Sequence, residues 1–183
     1  MNLLVKGHRE GREIVRVTPQ SAGWKYVGFT AFRLAPGERQ VLDLAGREIC
    51  IVVLSGRVNV DTGAARFDGI GGRTSVFDER GPYAVYAPDG AGVTIEALTP
   101  AEVGVASAPG GGALPPRLIE PSTMQRSVRG QGANTRYVRD ILPQTAPAEH
   151  LLVVEVRTPS GHSSSYPPHK HDVNDPPHET YLE

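Results

Sequence analysis

The sequence predicts an all-β protein built from antiparallel sheets. Gly and Pro together make up one residue in five, well above the roughly 12% of average usage. Short apolar runs of nine residues or fewer recur along the chain, separated by turn signals such as APGE, SGR and APDGAG. Apolar periodicity of the helical kind is absent. This combination is typical of an antiparallel sandwich or barrel.

The apolar runs give the individual strands. We predict strands at 14–17, 26–34, 49–54, 58–60, 75–77, 84–87, 93–97 and 103–106, then at 135–141 and 150–157. Between the two groups lies GGGALPPRLIEP, which is either a linker or an ordered extended crossover. Interleaved Leu and Ile favour the crossover. The predicted domains are therefore a barrel over 1–115, and the crossover with the start of a second, incomplete barrel over 116–183.

Composition excludes several classes of protein. With 39% hydrophobic residues and a net charge of −1, the chain should bury a core and is not a disordered segment. No apolar run approaches the roughly 18 residues of a membrane span, and the N-terminus lacks a signal-peptide core. Basic blocks that could neutralise phosphates are also absent. We therefore expect a cytoplasmic protein with no membrane or nucleic-acid partner.

The single cysteine cannot form an internal disulfide. Cys50 lies within the apolar run ICIVVL. This position favours a buried thiol over a nucleophile.

The first barrel carries the turn pattern of a cupin without its histidines. The stretch LAPGERQVLDLAGREICIVVLSG, at 34–56, resembles the first cupin motif, and YAPDG, at 86–90, resembles the second. Since no histidine lies between His8 and His150, we expect this barrel to be metal-free. Glu48 is then predicted to be an exposed or salt-bridged strand residue. The turn glycines Gly37, Gly56 and Gly90 are expected to need a positive φ.

The histidines point to a metal site near the other end. Five of the six fall in the last 34 residues. In a strand, His169 and His171 would point to the same face and converge on one point, as metal ligands do. A carboxylate from Glu179 or Glu183, at most one of them, would complete the set. The alternative is a solvated strand with partly charged histidines; His162 and His178 are predicted to be loop residues, and His150 a strand-terminal one.

With these residues in view, the chain resembles the 5-deoxy-glucuronate isomerase family of myo-inositol catabolism, a group of bicupins related to 5-keto-4-deoxyuronate isomerase. The resemblance rests on GW and YVGF at 23–29, PGE at 36–38, EICIVVLSG at 48–56 and RYVRDI at 136–141. The most specific segment is SGHSSSYPPHKHD, at 160–172. It implies a metal-free first barrel and a second barrel that binds a divalent cation, Zn or Mn. It also implies conversion of 5-deoxy-D-glucuronate, an aldose, to the ketose 5-dehydro-2-deoxy-D-gluconate.

The resemblance carries His169 and His171 over directly as metal ligands. The family's glutamate corresponds to Glu183 or Glu179, and its later histidine is not among these residues. We therefore expect the isolated chain to have negligible isomerase activity. Arg136, Arg139 and Lys170 are candidates to bind the substrate carboxylate, and the catalytic base is unassigned.

Two other functions remain open. The chain could be a non-catalytic cupin that binds metal or serves as an oligomerisation module. A metal-dependent dioxygenase would use the same ligand set, because cupin geometry does not determine the chemistry. A homo-oligomer is compatible with each of these hypotheses.

Overall fold

The computed structural model describes residues 5–164. The first ten strands in chain order form two sheets: β1 (Glu13–Val17), β2 (Gly28–Leu34), β3 (Arg39–Leu44), β4 (Arg47–Ser55), β5 (Arg57–Asp61), β6 (Arg66–Gly71), β7 (Ala84–Ala87), β8 (Gly90–Ala97), β9 (Ala101–Pro109) and β10 (Arg117–Ile119). Three further strands form a third sheet: β11 (Gln125–Arg129), β12 (Arg136–Leu142) and β13 (Val153–Arg157). One short helix, α1 (Pro19–Ala22), precedes β2.

The first two sheets face each other as a jelly-roll of the cupin type. One sheet has the order β1-β2-β9-β4-β7-β10 and the other β3-β8-β5-β6, and every pair is antiparallel. The core between them contains Ile49, Ile51 and Val53 from β4. The predicted all-β cupin fold is confirmed.

Strand β4 is buried on both faces, which explains its continuous apolar sequence. The alternate residues Cys50 and Val52 point away from the first core and join a second cluster with Tyr86 of β7. Ile141 and Leu142, at the end of β12, complete this cluster from the third sheet, whose order is β11-β12-β13. The third sheet therefore packs on the outside of the first barrel.

One predicted strand is wrong, and β3, β6 and β11 are absent from the predicted strands. Residues 75–77 form no strand, because the carboxylate of Asp78 accepts hydrogen bonds from the backbone N–H of Thr74 (2.7 Å) and Ser75 (3.3 Å) and closes a turn. Strand β6 is absent from the predicted strands, because its glycine-rich end has the composition of a turn. Gly69 instead donates its backbone N–H to the side chain of Asn59 on β5, at an irregular point of the ladder.

The Pro-rich segment contains a strand of the larger sheet. Within the Pro-rich segment, β10 pairs with β7, with Arg117 opposite Tyr86 and Ile119 opposite Ala84. The first sheet therefore extends to Ile119, a few residues beyond the predicted domain boundary at 115.

The three turn glycines have different physical roles. Gly37 and Gly56 adopt the predicted positive φ, at 81° and 77°. Gly90 does not, and the prediction is wrong for it. A Cβ at Gly90 would lie 2.7 Å from the Cβ of Leu44 and 3.0 Å from Cγ2 of Ile49, so close packing excludes a side chain at this position.

Of the helices within residues 5–164, none has the length and apolar character to cross a membrane.

Candidate functional site

The predicted metal ligands lie outside the described residues. His169, His171, Glu179 and Glu183 all belong to 165–183, as does the substrate-binding candidate Lys170. Across residues 5–164, no three His, Cys, Asp or Glu side chains form a group that could hold a metal ion. What the structure does describe is the third sheet, from which the chain continues toward the predicted ligands.

The two other substrate-binding candidates lie on opposite faces of β12. Arg139 is opposite Glu155 of β13 and shares its face with Tyr137 and Ile141. Arg136 lies on the other face with Val138. Since successive strand residues alternate in direction, one small carboxylate cannot be held by both guanidinium groups from this strand.

Contacts identify which face is turned to the first barrel. Ile141 packs in the cluster with Cys50 and Tyr86, and Arg139 donates a hydrogen bond to the backbone oxygen of Glu79. The face of Arg136 is therefore the one turned away. On β13 this outer face carries exposed apolar side chains, with Val154 at 49% and Val156 at 43% exposure.

Arg136 itself is held close to the backbone. Its Nη1 donates to the backbone oxygen of Asn134 at 3.1 Å. The guanidinium group is half-buried, and no ion pair is formed with it by the residues that the structure describes.

Between the first barrel and the third sheet, Glu155 is shared by two arginines. Nη1 of Arg73, from the loop after β6, lies 2.6 Å from one carboxylate oxygen, and Nη1 of Arg139 donates to the other at 2.9 Å. The Arg73 side chain is only 1% exposed. A buried guanidinium needs such a partner, since an uncompensated buried charge is costly.

A second ion pair also connects the loop after β6 to the third sheet. Arg157 donates to the carboxylate of Glu79 at 2.7 Å, and its guanidinium group lies 5.0 Å from the centre of the Tyr137 ring. The hydrogen bond and charge of Arg157 lower the pKa of Glu79. The surrounding cleft has a volume of about 320 Å³ and is lined mainly by charged side chains: Glu79, Arg126, Arg139, Glu155 and Arg157, around Tyr137.

Glu48 has a structural role that the sequence analysis did not predict. It is neither exposed nor salt-bridged: its exposure is 0%, and its carboxylate accepts four hydrogen bonds. The donors are the hydroxyl of Tyr86 (2.7 Å) and the backbone N–H groups of Glu149 (2.8 Å), His150 (2.6 Å) and Leu151. The three amides directly precede β13, so Glu48 anchors the segment that leads into this strand.

These hydrogen bonds determine the ionisation of Glu48. Burial alone would raise its pKa, but the Glu149 amide, the Tyr86 hydroxyl and the other two amides outweigh burial and lower it. Burial raises the pKa of Tyr86, and so does the hydrogen bond that its hydroxyl donates to the Glu48 carboxylate. Glu48 is therefore an ionised group committed to hydrogen bonding within the fold.

Neighbouring contacts attach the same segment to the crossover. The carboxylate of Glu149 accepts hydrogen bonds from the backbone N–H groups of Gly111 (2.5 Å) and Ala113 (3.3 Å), and Nδ1 of His150 lies 3.0 Å from the backbone oxygen of Pro109.

His162 lies in a loop, with Nδ1 2.9 Å from the backbone oxygen of Thr135. The loop position predicted for His162 is confirmed.

Cys50 is a core residue, as predicted. It is completely buried, and burial raises the pKa of its thiol to about 12. The thiolate required for nucleophilic chemistry is therefore not formed near neutral pH.

The sequence analysis missed the charged cleft, although a signal was present. Tyr137 and Arg139 on β12, and Glu155 and Arg157 on β13, are spaced two residues apart. Such spacing places each pair on one sheet face. Arg73 and Glu79 come from the loop after β6 and carry no comparable signal.

Comparisons with known proteins connect this architecture to one family. The model of the KduI/IolB family matches residues 3–183. A 5-deoxy-glucuronate isomerase from Geobacillus kaustophilus is 47% identical over 183 residues, covering 99% of this chain and 66% of the relative. The corresponding enzyme from Geobacillus thermodenitrificans is 46% identical over 182 residues, covering 98% of this chain and 66% of the relative. The chain spans just under two thirds of the length of these curated relatives.

A solved structure shows the same fold. The crystal structure of an IolB-like protein from Salmonella typhimurium LT2 matches with a TM-score of 0.93 and 42% identity. The match covers 99% of this chain and 69% of that chain.

Proposed function

The chain belongs to the KduI/IolB family, and from this membership we propose that the protein is a sugar-acid isomerase converting 5-deoxy-D-glucuronate to 5-dehydro-2-deoxy-D-gluconate. The observation that carries the proposal is the 47% identity to a 5-deoxy-glucuronate isomerase along the chain. The reaction is an intramolecular oxidation and reduction, in which a proton or a hydride moves between C1 and C2.

We assign the metal site to His169 and His171, with Glu179 or Glu183 as a third ligand. Two imidazoles and a carboxylate are a donor set that suits Zn²⁺ or Mn²⁺. A bound cation would supply Lewis-acid stabilisation of negative charge on the substrate oxygens.

For the substrate carboxylate, the described geometry favours Arg136 over Arg139. Arg136 lies on the sheet face turned away from the first barrel and has no ion pair among the described residues. Arg139 already shares Glu155 with Arg73 on the opposite face. Lys170 remains a further candidate, on its position in the sequence alone. In this role Arg136 would bind and orient the acid end of the sugar through charge-assisted hydrogen bonds.

The proposal is tested by measuring ketose formation from 5-deoxy-D-glucuronate together with metal content, for the 183-residue chain and for a form extended to the length of its curated relatives, side by side. We expect negligible turnover by the 183-residue chain. In the extended form we expect turnover with bound metal, and loss of both in the double variant His169→Ala/His171→Ala. His162→Ala is the matched control and should retain its metal, because His162 is held by a backbone oxygen in a loop. Bound metal without turnover in the extended form would overturn the isomerase and support a non-catalytic metal-binding module.

The substrate-binding assignment has its own readout. Arg136→Gln should raise KM for the sugar acid, whereas Arg139→Gln should leave KM near its normal value. The reverse pattern would exclude Arg136 as the carboxylate partner.

A further inference from the structure

The cleft between the first barrel and the third sheet has more positive than negative groups. Arg126, Arg139 and Arg157 line it, and the buried Arg73 lies beneath. The opposing carboxylates are those of Glu79 and Glu155. Four guanidinium groups therefore face only two carboxylates at this cleft.

Arg126 is the guanidinium group left over. It lies on β11 directly opposite Arg139 of β12. Like charges at opposed positions of an antiparallel pair repel each other. Glu155 does not resolve this repulsion, because it already forms ion pairs with both Arg139 and Arg73.

Glu79 does not resolve it either. Its carboxylate is bonded to Arg157, and its backbone oxygen accepts from Arg139. The charge of Arg126 acts on Glu79 only at longer range. Within residues 5–164, Arg126 has neither an ion pair nor a hydrogen bond from its side chain.

The space beside Arg126 fits a small organic molecule. The cleft volume of about 320 Å³ lies at the lower end of the range for small-molecule sites, roughly 300–1,000 Å³. Val128 and Tyr137 lie opposite each other in the next row of the same face and give it an apolar part. An anion with a carbon body matches this surface better than an inorganic ion does.

We propose that the cleft binds a small organic carboxylate between Arg126 and Arg139. The carboxylate accepts charge-assisted hydrogen bonds from Arg126, and the positive charge of Arg139, directly opposite Arg126, attracts it without donating to it. Its carbon body lies against Val128 and Tyr137. The inference goes beyond the proposed isomerase function, since it depends on the charges and shape of the cleft and on none of the predicted metal ligands.

The site is tested by protection of Arg126 from phenylglyoxal in the intact, chelator-treated protein, read residue by residue by peptide mass spectrometry. D-glucuronate is the probe and neutral D-glucose its control. Arg66 is the internal reference, because it is exposed on β6 of the first barrel, lies 2.8 Å from Asp68 and does not line the cleft. We expect D-glucuronate to slow modification of Arg126 about tenfold and leave Arg66 unchanged.

Equal modification rates at Arg126 with and without D-glucuronate would overturn the proposal. Protection by D-glucose, or by inorganic phosphate without protection by D-glucuronate, would also overturn it. The assay reports only on Arg126 and is carried out without metal. Binding of D-glucuronate at the proposed isomerase site would therefore not protect Arg126. Conversely, an inactive isomerase could still show this protection.

Variants provide a second test by calorimetry on chelator-treated protein. Arg126→Gln should weaken a D-glucuronate binding event about tenfold, whereas Arg66→Gln should leave the affinity unchanged. Equal affinities in the two variants would exclude Arg126 as the anion partner. Both positions are exposed, so both variants are expected to fold.

Discussion

The hydroxyl of Tyr86 donates a 2.7 Å hydrogen bond to the carboxylate of Glu48, and both side chains are completely buried. Tyr86 is on β7 and Glu48 on β4, so the pair spans neighbouring strands of the larger sheet. The remaining acceptor capacity of Glu48 goes to three consecutive backbone amides that precede β13. One carboxylate thus connects the first barrel to the third sheet.

Replacement of Glu48 should destabilise the protein strongly. In Glu48→Gln, one acceptor oxygen is replaced by an NH₂ group, which is a donor and faces N–H and O–H donors. At least one buried backbone N–H therefore loses its acceptor. We expect the free energy of unfolding to fall by about 3 kcal/mol, measured by urea denaturation. Tyr86→Phe removes one donor of the four and should cost about 1.5 kcal/mol. Wild-type stability in Glu48→Gln would contradict the assigned role of the carboxylate.

The contribution of Glu48 should depend on pH in a definite direction. Its hydrogen bonds lower its pKa in the folded state, whereas the unfolded chain has the ordinary value of about 4.3. A lowered folded pKa stabilises the protein above the unfolded pKa, and this stabilisation is lost as the pH falls toward the folded pKa.

The difference in unfolding free energy between wild type and Glu48→Gln should therefore be constant near neutral pH and shrink below about pH 4.3. Urea denaturation at a series of pH values measures it. Comparison with the variant isolates Glu48 from other carboxylates with lowered pKa, such as those of Asp78 and Glu96. A difference that grows on acidification would contradict a lowered pKa for Glu48 in the folded protein.

Removal of Glu155 should leave the buried Arg73 without a compensating charge. The Arg73 side chain is 1% exposed and lies 2.6 Å from Glu155, so Glu155→Gln is expected to cost about 3 kcal/mol. Arg73→Met combined with Glu155→Gln should cost less than the sum of the single changes, with a coupling of at least about 1 kcal/mol.

The control for this ion pair is Arg66→Gln. Arg66 pairs with Asp68 at the surface, where both side chains are more than half exposed, so the change should stay within about 0.5 kcal/mol. Additive effects of the Arg73 and Glu155 changes would show that the two side chains do not interact.

Cys50 should be inert in the folded protein. It is fully buried, and its pKa is raised to about 12, so neither access nor thiolate is available to a thiol reagent near pH 8. We expect no reaction with Ellman's reagent in native buffer and one thiol per chain in concentrated urea. As the chain has a single cysteine, stoichiometric labelling of native protein would directly contradict its burial.

Local patterns in the sequence determined the fold class and most strands. The apolar run at 49–54 predicted a strand, and Gly37 and Gly56 marked turns that need a positive φ. The predicted strand at 150–157 begins only at Val153 in the structure. The amides of 149–151 bind Glu48 instead of a neighbouring strand. Strands and turns can be predicted from the sequence because they depend on residues that are close together along the chain.

The prediction of metal ligands at His169 and His171 also rests on the sequence alone, since their spacing is a property of neighbouring positions. Only the tertiary structure decided the roles of Glu48 and Arg126. Glu48 is bound by backbone amides 101–103 residues away, and backbone amides carry no side-chain signature. Arg126 is notable only because Arg139 lies opposite it and both nearby carboxylates are engaged elsewhere. The charge balance of the cleft depends on which residues, distant in the sequence, meet there, and only folding brings them together.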